Sequence, residues 1–270
     1  MGNIKYQKII QLYEKMASYD IIGNIAIIKP DGKTKKQKLE EAKKLLKIPS
    51  VKTVLEKSER VKGRLRKIQT TFILGEKNKT ALYKENNCLF KVDVDGCYFS
   101  PRLSNDRKEI ALKIKKKDKV LAMFAGIGAY PIVIWKLAKP QLITTIEISK
   151  ECNKYFKENL KLNKIPEGKI KIIQGDVKKQ IPKIKEKFDV IVMTRPNLKF
   201  TFLKQALLVS KKGTKIFYHL FSHEKNLENE LEKLKKESGL KRKIKIRGVK
   251  KAGDIAPYKY RYRIEMKVLN

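Results

Sequence analysis

Cysteine is scarce in this chain. Cys88, Cys97 and Cys152 are odd in number and form no C-x-x-C pair, which gives no support to a disulfide framework or a zinc ribbon and fits a reducing compartment. Long hydrophobic runs are missing as well: nowhere do eighteen apolar residues follow one another, and the opening MGNIKYQKII returns to charge before a signal-peptide core can form. A soluble, cytoplasmic protein without membrane attachment is expected. Acidic residues are few, 28 against 65 Lys+Arg, for a formal net charge of +37. The 41% of hydrophobic positions nonetheless exclude a disordered tail. A chain of 270 residues buries roughly three quarters of its unfolded surface, enough for one large domain or a large and a small one.

A charge so far from zero repels itself and is most easily tolerated beside a polyanion. Nucleic acid is the first candidate and an acidic membrane surface the second; a Lys-rich surface of a heat-adapted protein gives the same total. The basic runs are spread along the chain, from KTKKQK and VKGRLRK through KIKKKDK to KRKIKIRGVKK and YKYRYR. That spread favours an extended footprint for a phosphate backbone over a single solvated face.

From about Asp118 the pattern alternates. KVLAMF (119–124) fits a buried parallel strand, Gly126 and Gly128 follow, and 129–137 has helical spacing. The motif repeats with strand 142–148 and helix 150–162, strand 169–174, strand 189–193 and helix 200–209, then strand 215–221 and helix 224–237. Such alternation predicts right-handed crossovers and a mostly parallel, doubly wound α/β sheet. KIKIRGVK and YRYRIEMKV lack an intervening helix, so the last strand is expected to pair antiparallel at an edge. The first part reads as a smaller α+β domain: helices over 5–16 and 34–46, strands over 20–30, 51–57 and 65–74. A strand pair, TALYKENNCLF and KVDVDGCYFS, leads into the larger domain. The expected division is 1–75, a small basic RNA-binding domain, and 76–270, the α/β domain.

Phe124 to Gly128 (FAGIG) closes the first strand of the alternation. Glycines without side chains let a ligand approach the backbone at the carboxyl end of a strand, where open α/β sheets bind ligands; a plain tight turn has the same pattern. Two acids end the next two strands. Glu147, followed by Ile148, is placed to accept from ribose hydroxyls, and Asp176, followed by Val177, from an adenine amine. A surface charge and a helix cap are their plainer readings. Together they describe a nucleoside pocket, and the missing third glycine suits S-adenosyl-L-methionine better than a dinucleotide. His219 and His223 are four apart, but the first sits in a strand pattern and no third ligand is near, so no metal is expected. Trp135 falls on the apolar face of the first helix and is expected in the core. The tail IAPYKYRYRIEMKV reads equally as an edge strand and as an aromatic stacking platform.

These residues carry a resemblance. KENNCLFKVDVDGCYFSPRLSNDRKEIA, MFAGIGAYPIVI, IEIS, NLKLNK, QGDV and IFYH are similar to the tRNA guanine-37 N1-methyltransferases of archaea and eukaryotes and their wyosine-pathway relatives, over about residues 21–268. The resemblance implies a class I, Rossmann-like methyltransferase sheet preceded by a small basic domain. It also implies a methyl group carried from S-adenosylmethionine to N1 of guanine 37 in the tRNA anticodon loop. Many members carry a further N-terminal domain that grips the tRNA, and this resemblance starts after it. A monomer is expected. A related aminocarboxypropyl transferase shares the glycine loop but is expected to differ at YFSPR.

N1 of guanine holds a proton at neutral pH, so a base is needed. Asp106 stands where the family has a glutamate proposed for that task, and Arg66 matches the arginine that would stabilise charge gathering on O6. Tyr98, Arg102 and Arg107 are expected to position cofactor or base. Two departures bear on the site. The family's Asn-Leu-Pro turn reads Thr194, Arg195, Pro196, keeping the proline against the target base while replacing a two-way amide by one hydroxyl. The family's aspartate before the glycine loop is Ala122. Methylation at C7 of a tricyclic wyosine precursor at position 37, as a second activity, and an RNA-binding protein on a decayed scaffold are the alternatives.

Overall fold

The structure is a computed structural model that describes residues 19–29, 32–58, 68–196, 200–238 and 243–270. By packing, the chain falls into two compact units, one reaching Glu85 and including Leu89–Pro101, the other comprising Asn86–Cys88 and Arg102–Asn270.

The first unit contains β1 (Tyr19–Ile22), β2 (Ile25–Ile28), α1 (Lys35–Leu45), β3 (Thr53–Lys57) and β4 (Thr70–Gly75), with the strands in the order β1-β2-β3-β4. The stretch expected as one strand over 20–30 is a hairpin. Gly23 takes φ +58°, and a Cβ there would lie 2.0 Å from the Leu82 carbonyl oxygen, so the chain reverses where only glycine fits. Alternation then buries both faces: Ile25 and Ile27 pack with Leu55 on one side, Ala26 and Ile28 with Ala42, Leu45 and Val54 of α1 and β3 on the other. Thr34 starts α1 with a reciprocal capping box to Gln37. The expected helix over 5–16 lies outside the described residues.

The next strands are β5 (Thr80–Glu85) and β6 (Cys88–Asp93). They turn at Asn86 and Asn87, both left-handed (φ +46° and +56°), rather than after Phe90 as the sequence pattern suggested; asparagine tolerates that region and favours the two-residue hairpin. Ala81 and Val94 join Ile22, Ile25, Ile27 and Leu55 in one apolar cluster, so this strand pair contributes to the first unit's core.

The second unit runs α2 (Ser104–Leu112), β7 (Lys119–Met123), α3 (Ala129–Ala138), β8 (Leu142–Glu147), α4 (Lys150–Leu162), β9 (Ile170–Gln174), α5 (Val177–Gln180), β10 (Phe188–Met193), α6 (Leu203–Leu208), β11 (Ser210–His223), α7 (Leu227–Ser238), β12 (Ile244–Ala256) and β13 (Lys259–Val268). The sheet order is β12-β13-β11-β10-β7-β8-β9, with β7 to β11 parallel and the last pair antiparallel. This is the doubly wound, Rossmann-like arrangement. From β7 the chain winds outward through β8 and β9, then returns to β10 on the other side, which opens a crevice at the carboxyl ends of β7 and β10. Leu121, Met123, Ile191, Met193, Ile216 and Ile264 fill the core between this sheet and Leu203, Leu207 and Leu234 of α6 and α7.

Four expectations are corrected here. The final strand is internal: β13 lies between β11 and β12, and β12 forms the edge. β11 starts at Ser210 instead of 215: Ser210 pairs with Phe188, residues 211–214 bulge out of the register, and the Thr214 hydroxyl donates to the Phe188 carbonyl (2.6 Å) across the bulge. The helix expected from 200 starts at Leu203, after Phe202 in a left-handed conformation (φ +60°). Trp135 is only partly buried, with Lys169 Nζ 5.9 Å from its ring centroid. Among the described residues no helix is long and apolar enough to cross a membrane.

Candidate active site

The loop after β7 is held in a conformation that ordinary residues resist. Phe124, Gly126 and Gly128 have φ of +63°, +57° and +86°. A non-glycine residue in that region is strained, and such strain concentrates at functional sites. Gly128 has a second reason to be glycine: a Cβ would lie 2.1 Å from the Phe156 ring of α4. Asn159 Nδ2 donates to the Ile127 carbonyl (3.1 Å), pinning the same turn to the same helix.

Glu147, at the end of β8, is buried. Its Oε2 accepts from Gly126 N and its Oε1 from Ser149 N, both at 2.8 Å, while Ser149 caps α4 through Cys152 N. The carboxylate therefore braces the glycine loop, a role the sequence pattern did not suggest. It also discriminates among cofactors. In a dinucleotide site a backbone N–H of this loop faces a phosphate; here the Gly126 N–H faces a carboxylate, which would repel a second anion. Carboxylate oxygens still carry lone pairs for ribose hydroxyls. Asp176 caps α5, its Oδ1 accepting from Lys178 N at 2.7 Å, beside buried Val177. Ile148 is partly buried between Glu147 and the α4 cap. The residues present thus suit a nucleoside with a neutral or cationic attachment, which a sulfonium provides.

Across the crevice, Thr194 and Pro196 follow β10, Thr194 half-buried and Pro196 buried. Arg195 between them places its guanidinium carbon 5.7 Å from the Phe124 ring centroid, and Phe202 meets the same ring edge-on at 5.2 Å. Lys178 Nζ sits 3.6 Å from the Phe200 ring centroid. This aromatic and cationic rim was not picked out in the sequence, because Phe200 and Phe202 read there as helix.

The structure speaks against the base role expected of Asp106. Its carboxylate is 5% exposed. Oδ2 accepts from the Tyr130 hydroxyl at 2.7 Å and Oδ1 from Arg263 Nη1 at 2.7 Å. His219 Nε2 lies 3.1 Å from Oδ2, out of line for a hydrogen bond. Burial works to raise its pKa, but the approach of His219, the Tyr130 hydrogen bond and the Arg263 charge outweigh that and hold it well below the usual carboxylate range. Burial holds His219 neutral against the pull of Asp106. A carboxylate so stabilised, with its oxygens occupied, is a poor proton acceptor. Arg263 also donates to Glu109 and Glu265, each at 3.0 Å through Nη2, so the cluster fastens α2 to β13.

Arg107 is buried (2% exposed), its guanidinium 5.6 Å from the Tyr130 ring centroid, and Arg102 is exposed in the turn Pro101–Leu103. Tyr98 belongs to the first unit. Arg66 lies outside the described residues. Ala122 is buried in β7. Of the residues expected at the cofactor, the structure places Phe124, Gly126, Gly128, Glu147, Ile148, Asp176 and Val177 at the carboxyl ends of three adjacent strands. Sequence reasoning missed Tyr130, His219 as a neighbour of Asp106, and Arg263. The period-two alternation of Arg261 and Arg263 put both on one face but gave no sign of what they meet.

A doubly wound sheet with a glycine turn after its first parallel strand, and acceptor carboxylates on the next two strand ends, defines a Rossmann-like transferase that binds a nucleoside cofactor. The TRM5/TYW2 methyltransferase domain matches residues 81–246 and the TYW2 N-terminal domain residues 10–79. The tRNA (guanine(37)-N(1))/4-demethylwyosine(37)-methyltransferase Taw22 of Nanoarchaeum equitans is 32% identical, across 92% of this chain and 99% of its own. Among solved structures, wild-type Trm5b from Pyrococcus abyssi has a TM-score of 0.81 at 31% identity, covering 94% of this chain and 75% of that one. The complex of aTrm5 with tRNALeu has a TM-score of 0.82 at 26% identity, covering 99% and 77%. This chain belongs to the TRM5/TYW2 methyltransferase family.

Proposed function

We propose that the protein transfers a methyl group from S-adenosylmethionine to N1 of guanine 37 in the tRNA anticodon loop. The observation that carries this reading is the glycine loop braced by Glu147 beside Asp176, in a chain similar over nearly its whole length to enzymes named for methylation at position 37. Bound there, the cofactor supplies an electrophilic methyl on a sulfonium. Glu147 and Asp176 orient the ribose and adenine, and Arg102 helps to position the cofactor. Thr194 offers one hydrogen bond to the target base and Pro196 a flat apolar contact. By resemblance to the family, Arg66 is the arginine assigned to stabilise charge gathering on O6 as the N1 proton is lost. With the cofactor held there, N1 would take the methyl group, the thioether would be the leaving group, and the N1 proton would pass to solvent, since both carboxylate oxygens of Asp106 are already engaged. Residues 1–75 bind RNA as a basic domain, and the loop presents a base that can be splayed out.

Methylation of a 4-demethylwyosine-type base at the same position is supported as a second activity. The relative matched along 99% of its own length is named for both reactions, and Thr194 replaces the amide that would fix a purine edge by two bonds. The test is labelled S-adenosylmethionine with tRNA transcripts carrying G37 or A37 and with tRNA bearing the tricyclic precursor, followed by nucleoside analysis. N1-methylguanosine from G37 alone among the transcripts is expected. Methyl transfer to A37 but not G37 would overturn the assignment. A protein that takes up no S-adenosylmethionine in calorimetry would be an RNA-binding scaffold instead.

A further inference from the structure

We infer that the projecting part of the β11–β13–β12 sheet is a second RNA-contacting surface, one that holds the unpaired nucleotides flanking the target base. This rests on the tRNA reading above and extends it to residues outside the cofactor crevice. The sheet order divides the site. Cofactor-side residues end β7, β8 and β9, so a substrate base must approach over β10, and the next strands on that side are β11, β13 and β12. These strands continue past the crevice. Met193, the last residue of β10, pairs with Tyr218, yet β11 runs on to His223, roughly 16 Å farther at ordinary strand rise. The extension pairs His219–His223 with Lys259–Arg263 and brings Lys250–Ala256 alongside, forming a wall beside the substrate half of the crevice.

The chemistry of the wall fits single-stranded RNA. The hairpin from Ile244 to Val268 carries eight Lys and Arg against two acids, Asp254 and Glu265, a sign suited to phosphates. Its foot is occupied by structure: Arg263 is bound to Asp106, and Lys250 to Glu109. Its tip differs. Tyr258 is 63% exposed in a left-handed turn (φ +56°), with its ring 6.0 Å from that of His223. Lys259 is exposed beside it, and Lys251 Nζ lies 3.6 Å from the Tyr260 ring centroid. Exposed aromatic faces interleaved with cations are how proteins hold single-stranded bases without reading their sequence. The register shifts in β12 at Ile246/Gly248, Lys251/Gly253 and Asp254/Ala256 disfavour another strand pairing along this edge, which weighs against a second protein chain as the occupant.

The test measures binding of an anticodon stem-loop RNA to the S-adenosylmethionine-saturated protein by fluorescence anisotropy. Tyr258→Ala combined with Lys259→Ala is compared with Lys116→Ala combined with Lys212→Ala, exposed lysines at the amino end of the sheet. The tip pair should weaken stem-loop binding about tenfold, the control pair at most about twofold, and Tyr258→Phe should restore most of the stacking component. Cofactor affinity, read by calorimetry, should be unchanged in all. Equal losses in tip and control pairs would overturn the proposal, as would a tip pair that changes sedimentation of the protein while leaving RNA affinity intact, the sign of a second copy on this surface. Failure of the wild type to bind or methylate tRNA would instead sink the functional reading. Wild-type methylation with an unaffected tip pair would sink the wall alone.

Discussion

Arg263 on β13 donates through Nη1 to Oδ1 of Asp106 on α2 at 2.7 Å, a bond between residues 157 positions apart in the chain. It joins α2 to the C-terminal hairpin, and it turns a residue expected to accept a proton into an anchor. Both partners are nearly inaccessible to water, so the pair is shielded from the screening that weakens surface bridges.

Asp106→Asn should therefore lower stability by about 2 kcal/mol: breaking a buried pair usually costs more, but Arg263 keeps Glu109 and Glu265. Urea unfolding measures this. The pH–rate profile of methyl transfer separates anchor from base. An anchor leaves the position of the rising limb unchanged in the variant, whereas disappearance of that limb would restore Asp106 as the base.

Glu147→Ala frees two backbone donors, Gly126 N and Ser149 N, and removes the acceptor proposed for the ribose. Cofactor affinity should fall by at least about tenfold, since hydrogen bonds to charged groups contribute roughly 1.5–3 kcal/mol. Glu147→Gln should do little better, because an amide offers one oxygen where two donors need acceptance. Calorimetry with S-adenosylmethionine decides; an unaltered affinity in both variants would remove Glu147 from the site.

Gly128→Ala places a Cβ 2.1 Å from the Phe156 ring at φ +86°. Left-handed strain and overpacking together should cost about 3 kcal/mol. Adding Phe156→Leu should recover the packing share but not the backbone share. A single variant as stable as the wild type in thermal and urea melts would show that α4 gives way easily.

His219 links stability to pH. Burial keeps it neutral in the fold and its pKa below the ordinary value, whereas the unfolded chain takes up a proton near pH ~6.5. Its stabilisation is thus complete above that pH and declines as pH falls toward the folded pKa. Asp106 acts in a lower window: its depressed pKa adds stability that is present above the unfolded value near ~4 and lost as pH drops below it. Urea midpoints of the wild type should fall between about pH 7 and 5, and His219→Gln should flatten that slope. Parallel curves for the two proteins would exclude His219 as its source.

Much of the cofactor side was legible in order. The apolar run of β7, the glycines after it and the acids after β8 and β9 are signals within a few residues of one another, and parallel strands separated by helices must place those ends together. The loop between β10 and α6 was not legible, because Phe200 and Phe202 carry apolar character at helical spacing, and only the left-handed Phe202 separates loop from helix. The hairpin at Asn86–Asn87 was misread for a related reason: two turn residues inside an alternating run leave the alternation unbroken on either side.

The amino-acid order by itself determined the alternating architecture, the excess of positive charge and the carboxylates beside a glycine turn, since periodicity, turn preference and charge are local properties. Which strand lies inside the sheet, how far β11 reaches past β10 and which cation holds Asp106 were decided only in three dimensions. Those outcomes depend on β13 inserting between β11 and β12, a choice made by the packing of distant side chains against one core, for which no single segment carries the signal.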